Sequence, residues 1–324
     1  MSFFSESTKQ KLSEWNGKPT VHSFYKDRKS LLVESGIYQI LNDSEIPGSY
    51  LKFQNILQEL VLLEEGINIA LSVMVEINVA GGILLHSKEP KGKELLDKIT
   101  SSEYIVATGV SEPKWEGQLK NIKSYLSDSH HLTGTKSFIT NGMSADSILW
   151  VLPEKGDFSV YSVDITKHVH TIQSEEVKTP FASLANHLKI SLENYPLTKD
   201  DLVFSDYKSI GLELRLKELF GLVSLLLGFV LKYFSSVLPP EVQTEWTRLL
   251  IWRDETAKEL VLADYYTKLA DLFPFPISDL LESLAKHYEL ESVSLLPKIH
   301  PDFALFIWED SVTRFLSKRK KNNQ

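Results

Sequence analysis

The sequence has no cysteine among its 324 residues. This absence excludes a disulfide framework, a thiolate metal site and a cysteine nucleophile. Because cysteine-free chains suit a reducing compartment, we expect a cytoplasmic protein. Any redox chemistry that the chain performs must therefore use a bound cofactor.

Positive charge is scarce and hardly clustered. The formal net charge is −8, and cations are grouped only in the run from Lys318 to Lys321. Since nucleic-acid binding needs a basic surface, we do not expect a nucleic-acid partner. The longest apolar run, Leu219 to Leu231, is interrupted by glycine and serine. At about 1.5 Å per residue it is too short to cross a bilayer, so we expect no membrane span.

Several catalytic signatures are also missing. The chain has no G-x-S-x-G elbow, no P-loop and no G-x-G-x-x-G fingerprint, which argues against hydrolase, kinase and nicotinamide-dependent chemistry. The histidine pairs His130–His131 and His168–His170 have no third ligand at a suitable spacing. We therefore expect no metal site.

The apolar pattern changes period twice along the chain. Helical spacing covers residues 28 to 102, short alternating strands such as YIVATGV, LKNIKSYL, LTGTKSFIT and SILWVLP follow from Tyr104, and helical spacing returns after Asp206. Two long helices are predicted there, from Ile210 to Phe234 and from Val242 to about Phe273. The predicted class is α+β, with an N-terminal helical domain (1–103), a central antiparallel β-barrel or sandwich (104–203) and a C-terminal helical bundle (204–324).

Three stretches together resemble one known family. They are the helical segment ILQELVLLEEGINIALSVMVEINVAGGILLH running on to YIVATGVSEP, the strand HHLTGTKSFITNG that ends at Gly142, and the late segment FALFIWEDSVTRFLSKR. Their content and order are similar to those of the acyl-CoA dehydrogenase flavoproteins, of which the chain looks like a divergent and shortened member. The resemblance implies the three-part α-β-α fold described above, bound FAD, and a homodimer or homotetramer whose subunits complete the flavin site.

The resemblance also implies which residues contact the flavin. In the family an aromatic residue, an isoleucine and a threonine lie against the ring, and Phe138, Ile139 and Thr140 stand at those places. Ser111, in VSEP, matches a second flavin contact, with Thr108 and Val110 on the same strand. The residues alone also allow a plainer interpretation, in which a phenylalanine before an Asn-Gly hairpin turn packs in the core and a serine before Glu-Pro caps a strand end.

A catalytic base is implied in the late segment. The family places an aromatic residue before its catalytic glutamate and a glycine after it, and Trp308-Glu309-Asp310 stands there. Glu309 is therefore the candidate base for removing the proton alpha to a thioester carbonyl. The alternative is a carboxylate that simply meets the dipole at a helix N-terminus. Asp310, in place of the glycine, adds a second negative charge beside the candidate base.

The sequence departs from the family at other cofactor positions. Trp115 follows Glu112-Pro113 where small residues are usual, and Tyr233-Phe234-Ser235-Ser236 replaces the Tyr-Ala-x-x-Arg segment. No Gly-Gly-x-Gly loop precedes the late segment between Leu284 and Pro301. Two hypotheses therefore stand. The first is an FAD-dependent oxidoreductase that acts on the CH-CH group of an acyl-CoA or related thioester. The second is an inactive scaffold or partner subunit that has lost FAD.

Overall fold

A computed structural model describes residues 2–14, 20–263 and 269–307 of the chain. Within these residues helices come first, eight strands follow, and helices and 3-10 turns come last. The first helices are α1 (Glu6–Ser13), α2 (Lys26–Glu34), α3 (Gln39–Asn42), α4 (Ser49–Val61), α5 (Gly66–Val75), α6 (Gly82–His86) and α7 (Pro90–Ser101).

A π-helical segment, Glu76–Gly81, joins α5 to α6 without a break. The resulting helix, Gly66–His86, is long and apolar enough to cross a membrane by length and composition alone, with a mean hydropathy of 1.8 in its most apolar stretch. Within that stretch, 94% of the residues are buried inside the protein. It therefore packs as the core helix of the N-terminal part.

The strands form two four-stranded sheets. One has the order β1-β4-β5-β8 and the other β2-β3-β7-β6. The strands are β1 (Val106–Gly109), β2 (Tyr125–Leu126), β3 (His131–Thr140), β4 (Ser147–Glu154), β5 (Asp157–Asp164), β6 (Ile172–Glu176), β7 (His187–Pro196) and β8 (Leu202–Phe204). The two sheets pack closely where β1 crosses β3. A Cβ added to Gly109 in β1 would lie only 2.9 Å from the Lys136 side chain and 3.4 Å from that of Ile139 in β3.

The strand pairing differs from the sequence-based prediction in three ways. β1 pairs with β4 in parallel, so the sheets are not wholly antiparallel. Asn141-Gly142 does not close a hairpin, because β3 pairs with β2 and β7 whereas the following strand, β4, belongs to the other sheet. Residues 119–126, predicted as a strand, contain a 3-10 turn at Leu119–Asn121 and only the two-residue β2. Local alternation fixed the strands, but long-range contacts fixed their partners.

The C-terminal helices are α8 (Tyr207–Tyr233), α9 (Pro240–Lys258), α10 (Leu269–Leu272) and α11 (Ser278–His287), followed by 3-10 turns at Val293–Lys298 and Pro301–Leu305. α8 is buried along most of its length and packs closely on α4, since a Cβ on Gly228 would lie 2.6 Å from the carbonyl oxygen of Gln58. The predicted helix from Val242 to Phe273 is wrong, because α9 ends at Lys258. Beyond it the Ala263 N–H donates to the carbonyl of Ser44 (3.0 Å), a tertiary bond that a helix would prevent.

A buried polar cluster joins the first helices to the sheet. Glu76 accepts hydrogen bonds from Lys29 Nζ (2.8 Å), Tyr25 Oη (2.6 Å) and Tyr38 Oη, and its other oxygen accepts from the backbone N–H of Val106 in β1 (3.0 Å). Lys29 and Glu76 are both fully buried. Four separate segments therefore share one carboxylate, which fixes β1 relative to α5.

Candidate functional site

A cavity of about 160 Å³ lies where the second sheet meets α5 and α8. Its walls are mostly apolar, and its polar side chains come from the strands β3 and β7 and from α8. The lining residues are Leu71, Val75, Phe138, Thr140, Phe181, His187, Arg215, Glu218, Leu219, Leu222 and Leu305. This combination of apolar walls and a few polar groups is typical of a small-molecule site.

A bulge in β3 aims Phe138 at the cavity. Simple alternation would place Lys136 and Phe138 on the same, inward face of the strand. The pairing of β3 with β7 shifts register between Lys136 and Ile139, and both of these side chains are fully buried. The residue added by the bulge turns Phe138 outward, where it is 37% exposed. Thr140, two residues after Phe138, faces the same side of the strand and also lines the cavity.

His187 is the neighbour of both side chains. Its ring stacks on Phe138, with ring centroids 4.3 Å apart and an interplanar angle of 25°, and Phe181 meets it edge-on at 6.0 Å. The Thr140 hydroxyl lies 3.3 Å from His187 Nδ1, across the pairing of β3 with β7. His187 is only 3% exposed, and burial lowers its pKa from 6.5 to about 4.

The loop that carries Phe181 is held by hydrogen bonds from two sides. Ala182 has a left-handed backbone conformation, with φ of 40°. Its N–H donates a hydrogen bond to the Asp302 carboxylate (2.7 Å). The amide oxygen of Asn68 in α5 accepts from the N–H groups of Leu184 (2.8 Å) and Ala185 (3.1 Å). The cavity wall is therefore fixed both to α5 and to the C-terminal turn that contributes Leu305.

Sequence reasoning did not identify the charged residues of the cavity. Arg215 and Glu218 form an ion pair of 2.7 Å on α8, one helical turn apart. Both are partly exposed, and Glu218 is the carboxylate in the cavity wall within the described part of the chain. The only local signal was a pair of opposite charges at i,i+3, in a helix that also carries Lys208, Glu213, Lys217 and Lys232.

The second predicted flavin segment runs beside β3 and is not part of the cavity wall. The carbonyl of Ser111 accepts from the Ser137 N–H (2.8 Å), one residue before Phe138, and the carbonyl of Val110 accepts from Lys136 Nζ (3.2 Å). Thr108 Oγ1 is buried with no hydrogen-bond partner among the described residues. The structure thus brings the two predicted segments together, while the Ile139 side chain points into the core.

A buried ion pair joins these two segments. Lys136 Nζ donates to Glu112 Oε1 (2.8 Å) and to the carbonyl of Val151 (2.6 Å), in addition to that of Val110. Glu112 also accepts from the N–H groups of Lys123 (2.6 Å) and Ser124 (3.2 Å). Burial lowers the pKa of Lys136 to about 8, with Glu112 opposing that change. Burial would raise the pKa of Glu112, but the Lys136 charge and the hydrogen bonds outweigh it and lower this pKa.

The other residues singled out in the sequence are Glu309 with Asp310, Trp115, and the segment that begins at Tyr233. Glu309 and Asp310 are outside the described residues, and Leu305, four positions before Glu309 in the sequence, lines the cavity. Trp115 is half-buried against the hydrophobic core and is not among the residues that line the cavity. Tyr233 and Phe234 pack in an aromatic cluster with Tyr288.

Comparison with known proteins identifies the fold. No family model matches the sequence, and no curated protein matches it.

Solved structures match over nearly the whole chain. The prolyl acyl carrier protein oxidase AnaB is 14% identical, with a TM-score of 0.66 over 97% of this chain and 96% of that one. PigA with FAD and proline is 13% identical, with a TM-score of 0.67 over 99% of each chain. Butyryl-CoA dehydrogenase from Megasphaera elsdenii is 11% identical, with a TM-score of 0.65 over 98% of each chain. The chain therefore has the acyl-CoA dehydrogenase fold, as predicted.

Lys136→Met would leave the Glu112 carboxylate buried without its cation. We expect the free energy of unfolding to fall by about 3–5 kcal/mol, measured by urea denaturation. In Lys136→Met/Glu112→Gln the amide oxygen still accepts from Lys123 and Ser124 but carries no charge, so most of the loss should be recovered. An equal loss in the single and the double variant would contradict this account of the pair.

His187 predicts an acid-dependent loss of stability. The unfolded imidazole takes up a proton near pH 6.5 and the folded one only near pH 4, so acid favours the unfolded state between these values. His187 alone should account for about 3 kcal/mol of the fall in stability as pH drops through this window. In His187→Phe, which keeps the aromatic stack, the fall should be smaller by that amount. His86, whose pKa burial also lowers to about 4, is unchanged and serves as the internal control. Identical pH profiles for the two proteins would refute the assignment.

Proposed function

We propose that this chain binds FAD and oxidises an acyl thioester at the CH-CH bond next to its carbonyl. The observation that carries the proposal is the cavity in which Phe138 and Thr140 converge beside α8. The resemblance of the sequence to the acyl-CoA dehydrogenases points to the same two residues. The fold adds support, because PigA, which matches it over 99% of each chain, is described with FAD and proline.

The residues present fit the isoalloxazine ring of FAD. Phe138 offers a partly open ring face, Thr140 offers a hydroxyl in the cavity wall, and the segment from Thr108 to Ser111 runs beside β3. Two buried polar atoms, Thr108 Oγ1 and His187 Nε2, lack a partner within the described ranges, as is common beside a ligand. Phe138 would pack on the ring, while Thr140 and backbone groups would hydrogen-bond its polar edge.

When bound, FAD would supply the acceptor for the hydride that leaves the beta carbon. The chain must supply the base that takes the alpha proton, and two carboxylates are candidates. Glu309 is the candidate by resemblance, and it follows cavity residue Leu305 by four positions in the sequence. Glu218 lies in the cavity wall itself, beside Arg215.

The same geometry supports the proposed substrate class. The wall between α5 and α8 is formed by Leu71, Val75, Leu219 and Leu222 and suits an apolar acyl chain. The thioester carrier is either coenzyme A or an acyl carrier protein, since the neighbours include both a butyryl-CoA dehydrogenase and a prolyl acyl carrier protein oxidase.

A second candidate function has one observation in its favour. The cavity volume of about 160 Å³ is below the roughly 300 Å³ at which ligand pockets commonly begin. A scaffold or partner subunit that has lost FAD would have such a reduced cavity. The two functions predict opposite results in a titration with FAD.

FAD binding is the first test. Apoprotein titrated with FAD should quench the flavin fluorescence and shift the visible flavin bands, and Phe138→Ala should raise the dissociation constant by about three- to tenfold, the value of one aromatic contact. Tyr125→Ala, which removes an exposed aromatic side chain from the same sheet, is the matched control and should bind as the wild type does. No binding by the wild-type chain at excess FAD would favour the scaffold.

Anaerobic mixing of the flavin-loaded protein with acyl-CoA thioesters identifies the base. Glu309→Gln and Glu218→Gln are compared. The variant that removes the base should slow bleaching of the flavin by about 10²-fold or more, with the flavin spectrum unchanged. Glu282→Gln, which replaces an exposed carboxylate on α11, is the control and should bleach at the wild-type rate. Full bleaching rates in both glutamate variants would remove both residues from the mechanism.

A further inference from the structure

His187 is a part of the cavity to which the proposed function assigns no task. It faces Thr140 directly across the β3–β7 pairing, with Nδ1 3.3 Å from the threonine hydroxyl oxygen. Its ring is fixed between Phe138 and Phe181, so the imidazole cannot turn freely. Both partners, Phe138 and Thr140, line the cavity that His187 also lines.

The two ring nitrogens of His187 have different surroundings. Nδ1 faces the Thr140 hydroxyl, whereas Nε2 is buried and has no hydrogen-bond partner among the described residues. A neutral imidazole carries one N–H, on one nitrogen or the other. The lowered pKa of His187 keeps the ring neutral at ordinary pH. The question is therefore which nitrogen carries the hydrogen.

The cost of an unpaired buried group answers it. A buried N–H without an acceptor is rarer in proteins than a buried acceptor that lacks a donor. A hydrogen on Nε2 would create such an N–H, while a hydrogen on Nδ1 has the Thr140 oxygen as its acceptor. The Nδ1–H tautomer is therefore favoured, and Thr140 accepts this bond.

We propose that His187 is a positioning residue that makes Thr140 a hydrogen-bond donor toward the cavity. A hydroxyl has one hydrogen and two acceptor sites. When Thr140 accepts from His187, its own hydrogen stays available for a ligand, and the ligand must present an acceptor there. This inference rests on the proposed function for its ligand, because an oxidised flavin carries unprotonated ring nitrogens that accept such a bond.

The tautomer can be measured without any ligand. Nitrogen-15 NMR of histidine-labelled apoprotein distinguishes protonated from unprotonated ring nitrogens, and the signals of residue 187 are those lost in His187→Phe. We expect a protonated Nδ1 and an unprotonated Nε2 at neutral pH. A protonated Nε2 would overturn the inference, and this result is independent of whether the chain binds FAD.

A double-mutant cycle tests the effect on binding. His187→Phe keeps the stack on Phe138 but removes the donor, and it should raise the dissociation constant for FAD about fivefold, the value of one hydrogen bond. In a Thr140→Val background the same change should have no further effect, since His187 acts through Thr140. An equal effect in both backgrounds would show that His187 acts directly or by packing alone.

A conservative variant completes the test. His187→Asn carries an amide N–H in place of Nδ1–H, and it should recover part of the affinity that His187→Phe loses. If no variant and no wild-type sample binds FAD, the proposed function fails, while the NMR measurement still decides the tautomer. A variant that restores the donor but not the affinity would count against the positioning role.

Discussion

The buried ion pair between Lys136 and Glu112 is the interaction on which the candidate site depends. The ammonium group has three hydrogens and meets three acceptors: the Val110 carbonyl and the Glu112 carboxylate just after β1, and the Val151 carbonyl in β4. Because neither charge can lose its partner cheaply in the interior, the end of β1 and the middle of β3 stay in one register. The bulge that follows Lys136 then turns Phe138 out to the cavity.

A second buried ion pair, Lys29 with Glu76, acts in the same way on the helical side. Glu76 closes α5 where the π-helical segment begins, and its carboxylate also accepts from β1 at Val106. α5 supplies Leu71 and Val75 to the cavity, so this bond sets the distance between one apolar wall and the sheet. Together the two pairs fix the cavity between layers that the hydrophobic effect alone would hold with less precision.

The sequence was sufficient for the class of fold and for much of the candidate site. Alternation predicted β3, β4, β5 and β7, because each strand has a buried face, and the ordered resemblance led to Phe138 and Thr140. The bulge was not predictable, since it depends on the register between β3 and β7. The end of α9 at Lys258 depends on a tertiary bond between Ala263 and Ser44. Arg215, Glu218 and His187 become neighbours of Phe138 only after the layers pack, so no local pattern identified them.

A crystal structure of the protein grown with FAD tests the central claim most directly. We expect the isoalloxazine ring to pack on Phe138, with its polar edge at the Thr140 hydroxyl and the segment from Thr108 to Ser111 alongside. A structure in which no flavin is bound in the cavity, or in which the flavin lies against another surface of the protein, would contradict this expectation.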